Sequence, residues 1–520
     1  MSFPPAEERR RLIPRWRRFS KTRRSAELVS DPRASVESPV ESLTLEEKVK
    51  QWREDKSIET AIDLLEEAIV AAPRNSEALV AASFLVQNKF ATAAVRTLAS
   101  GFMRPDLKPS IEPELNLGEI DRSQHAAILI RRMRTSLREG PRNPLLWTDL
   151  SLQYLSIGQR DKAISAMESA LALAKDNRYV LRVASRLFVK VNELKRAHEI
   201  LRRSDLVKHD PWVLSAEIAV ASMRDVTSPN FNRGRRLLRD LEDYPAFITE
   251  LAGSVGTEIM KDGAPREARS LIKTSLKEPN DNVIAQAMWI WRAHPTVVAM
   301  NNNLLREPQG FEARALKAFE DSEWENVVSE SQQWAQDEPF STRPAVWGSF
   351  VTSAIFHDYE RSLKIVDDGL IANPKDVTLL NNRAVSLARL GATEVAAEIL
   401  SGLPKSFSDT TMQCTLEATR GLLAMRTGDI AAGRAQYQSA LRSCPAHGHA
   451  NARTRVLIVC NWLYEEAEAG TLDIEILTSA LTQISGDFRA AKAWPDVSAI
   501  MANLGTLIAP ELAEKLKLLG

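Results

Sequence analysis

Apolar residues recur three and four positions apart along most of the chain, in short runs parted by polar turns. That period stacks them on one face of an α-helix. The clearest case spans residues 144–175. Trp147, Leu150, Ser151 and Tyr154 share a face of one predicted helix, and Ala163, Met167 and Ala170 share a face of the next. Small residues at Ser151, Ala163 and Ala170 let the two backbones approach, while Trp147, Tyr154 and Met167 fill the space beside them. Gly158 sits where a left-handed residue ends the first helix at low cost. No stretch sustains the alternation of a half-buried strand.

The same hairpin recurs along the chain. Leu45, Val49 and Trp52 open a helix answered by Ala61, Leu65 and Ala68, and Ala78, Ala81, Ala82 and Leu85 lead toward Ala94 and Leu98. Pro105, Pro109, Pro113 and Gly118 predict a loop over residues 101–119, and a helix follows from about Ser123 to Arg138. Beyond residue 175, Leu181, Ala184, Ser185 and Phe188 pair with Ala197 and Leu201, and a degenerate pair runs from Pro211 and Trp212 to Phe231 and Leu241. Ala252, Val255, Gly256 and Ile259 pair with Ala268 and Ile272. Residues 281–307 offer an aromatic helix around Met288, Trp289 and Trp291 without a clear second half. Pairs then return at Phe311–Trp334, Val346–Gly369, Leu380–Leu400 and Gly421–Ala440, and residues 450–520 read as helices of another kind.

These residues resemble the tetratricopeptide repeat, a helix–turn–helix unit of about 34 residues with the pattern W-x2-L-G-x2-Y…A-x3-F. Ser151 stands where the pattern has Gly, and Met167 where it has Phe; both keep the size class. The likeness covers roughly residues 42–445, with gaps at 101–143, 205–248 and 281–307. One hairpin cannot bury its apolar face alone, so the copies must stack. The resemblance implies an all-α, tetratricopeptide-like helical-hairpin solenoid, a right-handed superhelix whose concave face is lined by first helices. The expected organisation is a basic, Pro-interrupted arm over residues 1–40, then an N-terminal and central solenoid over 41–345 with an insertion at 101–120. C-terminal repeats over 346–445 and a helical cap over 446–520 complete it. The cap is expected to be atypical, because a terminal unit must turn one face to water.

Members of that family are overwhelmingly adaptors and scaffolds, so the resemblance implies a protein or peptide partner in the groove. One subclass captures chaperone C-terminal carboxylates through Lys and Asn residues on successive first helices. Asn381, Asn382 and Arg389 are the nearest counterparts here, but the next repeat offers Ala418, Thr419 and Leu422 where further polar residues should stand. A chaperone-tail clamp is therefore disfavoured. A groove contact is expected first at Asn381, Asn382, Arg383, Arg389 and Arg426, although Asn also simply favours helix starts.

Composition changes this picture little. Lys+Arg and Asp+Glu both number 68, so no whole-chain field draws it to nucleic acid or membrane. Cys414, Cys444 and Cys460 are too few for a disulfide framework, and a reducing compartment is expected. No apolar run approaches the roughly 18 residues that cross a bilayer. The N-terminal stretch lacks the apolar core of a secretory signal; it is Arg-rich, but Glu7 and Glu8 count against a transit peptide. Cytoplasm is the expected compartment, and the likeness to Arg- and Ala-rich bacterial repeat proteins implies a bacterial host.

The sharpest feature outside the repeats is the arm. Arg9, Arg10, Arg11, Arg15, Arg17, Arg18, Lys21, Arg23 and Arg24 crowd around Trp16 and Phe19. Such a run can neutralise phosphates while its rings stack on bases, or it can dock on a protein or on its own solenoid; docking is the favoured reading. Cys444, His447 and His449 have the look of metal ligands, but four are needed and no matching pair stands elsewhere. Phosphate-loop, metalloprotease, nucleophile-elbow and dinucleotide-binding signatures are absent. The sequence thus predicts a non-enzymatic scaffold without a cofactor. An adaptor on nucleic acid or ribonucleoprotein, or a regulatory subunit of a separately encoded enzyme, is the alternative.

Overall fold

The computed structural model describes Leu12 and residues 44–71, 75–87, 95, 99, 122–404, 406–407, 409–445, 449–487 and 494–519. Every regular element among them is helical. The chain divides into two units, one of residues 31–121 and one of residues 1–30 with 122–520.

The smaller unit holds α1 (Leu45–Glu54), α2 (Ile58–Ala71) and α3 (Ser76–Gln87). Thr44 and Glu47 form a reciprocal capping box that satisfies donors at the start of α1. Trp52 is buried edge-on to Phe84, with ring centroids 5.3 Å apart. Ala61, Leu65 and Ala68 of α2 meet Ala78, Ala81, Ala82 and Leu85 of α3, so the predicted apolar faces do close on one another.

From residue 122 the larger unit runs through α4 (Arg122–Glu139) and continues as hairpins. These are α5 (Pro144–Ser156) with α6 (Arg160–Leu173), α7 (Arg178–Lys190) with α8 (Leu194–Arg203), and α9 (Pro211–Met223) with α10 (Phe231–Asp240). Next come α11 (Pro245–Lys261) with α12 (Pro265–Ser275), and α13 (Asp281–Ala293), which has no α-helical partner and is followed by a short 3₁₀ turn at Leu304–Arg306. The regular pairs resume with α14 (Phe311–Glu320) and α15 (Trp324–Asp337), α16 (Arg343–Ala354) and α17 (Tyr359–Ala372), α18 (Val377–Arg389) and α19 (Thr393–Ser401), and α20 (Thr410–Arg426) and α21 (Ile430–Ser443). Among the described residues α22 (His449–Glu468), α23 (Ile474–Thr482), α24 (Pro495–Leu507) and α25 (Pro510–Leu519) follow. Residues 211–241, degenerate in sequence, fold as an ordinary hairpin because Asp210 caps α9 and Pro211 pre-sets its first turn.

One turn recurs after the first helix of each pair in the larger unit. Gly158, Asn192, Asp225, Gly263, Ser322, His357, Gly391, Gly428 and Gly470 all have positive φ. Each reverses the chain just past a helix end, where a left-handed residue ties off the last carbonyls. Small residues do the rest. Ser151 Oγ donates to the Ala163 carbonyl at 2.6 Å, so the serine that replaces glycine holds the hairpin it also lets close. A Cβ on Gly433 would lie 2.2 Å from Met425 Cγ, and one on Gly421 2.9 Å from the Tyr437 ring, which is why α20 and α21 require both glycines.

First and second helices differ in what surrounds them. Of α8 only Ala197, His198 and Leu201 are buried, and of α10 only Gly234 and Leu238. By contrast α9 is buried from Pro211 to Ser222, α13 from Asp281 to Ile290 and α16 from Pro344 to Ala354. First helices touch one another in succession, α5 to α7 to α9 to α11 to α13 and again α16 to α18 to α20 to α22, forming a wall in two runs.

The larger unit also meets itself. A Cβ on Gly158 would sit 3.0 Å from the Ile371 carbonyl and 3.4 Å from Pro374. Arg186 Nη2 donates to Glu338 Oε1 at 3.1 Å across 152 positions of sequence. At the other end Asn503 Nδ2 of α24 donates to the Ile355 carbonyl beyond α16 at 2.7 Å. The array returns on its own early repeats, and its last helices lie against its middle.

Candidate functional site

The wall of first helices is where charge and aromatic surface concentrate. On α7, Arg178, Arg182 and Arg186 step along one face at intervals of four. Arg178 pairs with Asp210 at the cap of α9. Arg182 donates to both oxygens of Glu250 on α11, at 2.9 and 2.8 Å, with its guanidinium 4.7 Å from the Trp212 ring centroid. Arg186 reaches Glu338 and stacks 5.8 Å from Phe340. One helix face thereby fixes three other elements.

Similar clusters follow. Arg343 pairs with Glu312, which also accepts from Trp289 Nε1 at 3.0 Å. Arg292 pairs with Glu320 and lies 5.5–5.8 Å from the rings of Trp289, Phe319, Trp347 and Trp494. Arg453 pairs with Asp496 and stacks on Trp494 at 4.9 Å and Phe350 at 5.7 Å. Glu466 accepts from Arg434, Trp462 and Thr471; burial alone would raise its carboxyl, but these bonds, Arg434 first, hold it below the usual range. Buried ion pairs add little net stability, and their value lies in fixing which surfaces meet.

The groove residues expected from sequence occupy this framework. Asn381 and Asn382 are fully buried, and Asn382 Nδ2 donates to Ser349 Oγ at 3.1 Å. Arg389 is buried between Tyr359 and Tyr464, donating to Glu465 at 3.0 Å and to Asn461 at 2.9 Å. Arg426 shares Glu465 with it, and Arg383 pairs with Asp367 on the neighbouring helix. Only Arg383 and Arg426 of the five keep a substantial part of the side chain at the surface, at 32% and 23%. The arm residues Arg9, Arg10, Arg11, Arg15, Trp16, Arg17, Arg18, Lys21, Arg23 and Arg24 lie outside the described residues, as does His447.

Leu12 is described, and it is 2% exposed. A Cβ built on Gly253 would lie 2.5 Å from its Cδ1 and 3.8 Å from its Cγ, so the leucine occupies the hollow that glycine leaves on α11. Glu250 and Thr257 flank Gly253 on the same stripe. Glu250 reaches α7, and Thr257 accepts from Gln286 of α13 at 3.2 Å. The hollow is therefore on the wall side of α11.

Among the described residues, one buried polar relay resembles a catalytic chain, and its order does not fit one. Buried His198 Nε2 and Glu217 Oε1 are 2.7 Å apart, Ser228 donates to Glu217, and Arg224 meets His198. In a nucleophilic triad the serine must give its proton to the imidazole; here the carboxylate stands between them, so the relay ties α8 and α9 to the turn that leads into α10. Among the described residues no cluster of His, Cys, Asp and Glu could hold a metal ion, and no helix is long and apolar enough to cross a membrane. Cys414, Cys444 and Cys460 are free and buried.

No family model matches the chain, and no curated protein matches it. Among solved structures it is similar to yeast Tom70, with 12% identity over 76% of this chain and 100% of that one at a TM-score of 0.28. It is similar to the P58(IPK) TPR domain, with 13% identity over 72% and 97% and a TM-score of 0.21. It is also similar to the APC/C hetero-tetramer Cut9-Hcn1, with 11% identity over 78% and 91% and a TM-score of 0.25.

The residues that sequence reading missed are the buried arginines of α7 and their acidic partners. Their one signal is spacing: Arg178, Arg182 and Arg186 repeat every four positions on the face that also carries Leu181 and Ser185 as neighbours. A periodicity argument assigns such a charged row to solvent.

Proposed function

We propose that the chain is a non-enzymatic helical-repeat scaffold, at work in the cytoplasm, that holds a protein or peptide partner along the wall formed by its first helices. The observation that carries this reading is Leu12, a residue outside any helix that seats an apolar side chain on the wall at Gly253. A wall that takes one apolar side chain from outside the repeats has the geometry to take another. The arginine–carboxylate–aromatic clusters give it a fixed shape, so recognition falls to its hollows and to pairs that keep part of their surface. Arg383 and Arg426, with Asn381, Asn382 and Arg389 behind them, are the groove positions assigned to the partner. The basic residues 9–24 then serve docking on protein, with nucleic acid as the competing outcome.

A photoreactive amino acid placed at Arg383 on α18, and separately at Ser165 on the outer helix α6, tests the assignment in the full chain. The expected result is a cross-link from position 383 to a co-purifying polypeptide and none from position 165. Cross-links from 165 alone, or recovery of nucleic acid alone, would overturn it.

A further inference from the structure

The wall that the scaffold reading assigns to a partner is already dry. A first helix in an open groove leaves one stripe to water, yet α9 leaves none from Pro211 to Ser222 and α13 none from Asp281 to Ile290. Between them, on α11, lies the hollow at Gly253. Its backbone is ordinary helix, so no positive φ calls for glycine there. Glycine inside a helix is unfavourable and wants a packing reason. Gly256, one turn on, has such a reason, since a Cβ there would press on Ile272 and Leu271 of α12 at 3.1 and 3.2 Å. At Gly253 the atom that a Cβ would strike is Cδ1 of Leu12, at 2.5 Å, with only Ser275 Cβ of its own hairpin nearby at 3.9 Å. The space serves the arm, not the hairpin.

We propose that the N-terminal arm is a resident ligand of this wall: Leu12 fills the hollow over Gly253, and a partner gains the site by displacing it with an apolar side chain of its own. This rests on the scaffold reading for its last clause, whereas arm docking is intramolecular and is measured with no partner present. The occupant is an apolar side chain unbranched at Cβ, because a β-branched one would bring a second carbon toward the α11 backbone. Arginines at 9–11, 15, 17 and 18 flank the leucine, which makes the docked state readable by trypsin.

The experiment is limited trypsin digestion of the full chain, following release at Arg15, whose scissile bond position 12 does not flank. Leu12→Asp should speed that cleavage by roughly tenfold or more, the scale of losing one buried leucine, while the melting temperature of the larger unit stays put. Gly253→Leu should do the same by filling the hollow from the other side. Gly253→Ala should act more weakly, because the end of a leucine side chain can swing aside. A labelled peptide of residues 1–24 should then bind the Leu12→Asp chain and not the wild type, and should lose binding when it carries Leu12→Asp itself. Equal cleavage in wild type and Leu12→Asp, or a peptide that binds both chains alike or neither, would overturn the proposal. Arm docking without partner competition would leave it standing and count against the scaffold reading alone.

Discussion

His357 shows how much one residue of this fold is asked to do. It takes the left-handed turn after α16 with φ 55°, stacks 4.8 Å from the Tyr464 ring, and places Nδ1 3.0 Å from the Tyr359 hydroxyl. Burial first, and the nearby Arg389 cation second, push its pKa down from 6.5 to about 4. The unfolded chain therefore takes up a proton in a window where the folded chain refuses it. Stability from this group is complete above pH 6.5 and is lost as pH falls toward 4, by about 1–2 kcal/mol once solvent screening of a half-buried ring is allowed for. His357→Asn keeps a residue that tolerates the left-handed region and removes the proton. Urea unfolding should show the variant losing less stability than wild type across that acid window; parallel losses would mean that His357 is solvated. The identity of this turn residue was not legible beforehand. Glycine at 158, 391 and 428 announces the turn, but Asn192, Asp225, Ser322 and His357 fill the same place without the signal.

At the scale of helices, the sequence carried the hairpins and concealed what lies between them. Apolar spacing located α5 with α6 and α18 with α19 because each packs on its sequence neighbour, and local contacts leave local patterns. The wall is different. Arg182 and Glu250 are 68 positions apart, and each alone reads as a solvated charge on an amphipathic helix. Only their meeting makes burial tolerable. Removing one partner takes the opposite charge from the other in a dry site, so Arg182→Met and Glu250→Leu should each cost on the order of 3–5 kcal/mol, whereas the double variant should recover most of that loss. Asn280, which donates to Glu250 at 2.9 Å, and Trp212 beneath Arg182 will hold back full recovery. A double-mutant cycle in denaturant decides it: simple addition of the two single losses would show that the pair is not coupled. Asn381 and Asn382 illustrate the same blindness, since amides at the start of a first helix read as exposed yet are buried behind the wall.

For the larger unit as a whole, the return contact is the feature with no trace in any local pattern, and Lys190 offers a way to test it. Lys190 ends α7 beside Arg186, where Glu338 and Asp376 come in from repeats far along the chain. Burial lowers its pKa from 10.5 to about 8, more than the attraction of Asp376 and Glu338 restores. The unfolded chain holds this proton up to about 10.5 and the folded chain only to about 8, so stability should rise with pH between those values. Below pH 8 the fold bears the full cost of a charge it would rather lose. Lys190→Met should thus raise the melting temperature near neutral pH, worth about 1–2 kcal/mol, and flatten the alkaline rise. Asp376 will not be stranded, because it caps α18 through the Leu379 amide and is only half-buried. Were the early and late repeats apart in solution, Lys190 would be wet, its pKa ordinary and the substitution silent. A pH-independent melting temperature in the wild type between 8 and 10.5, with no gain from methionine, would therefore remove the closure itself and not merely one of its contacts.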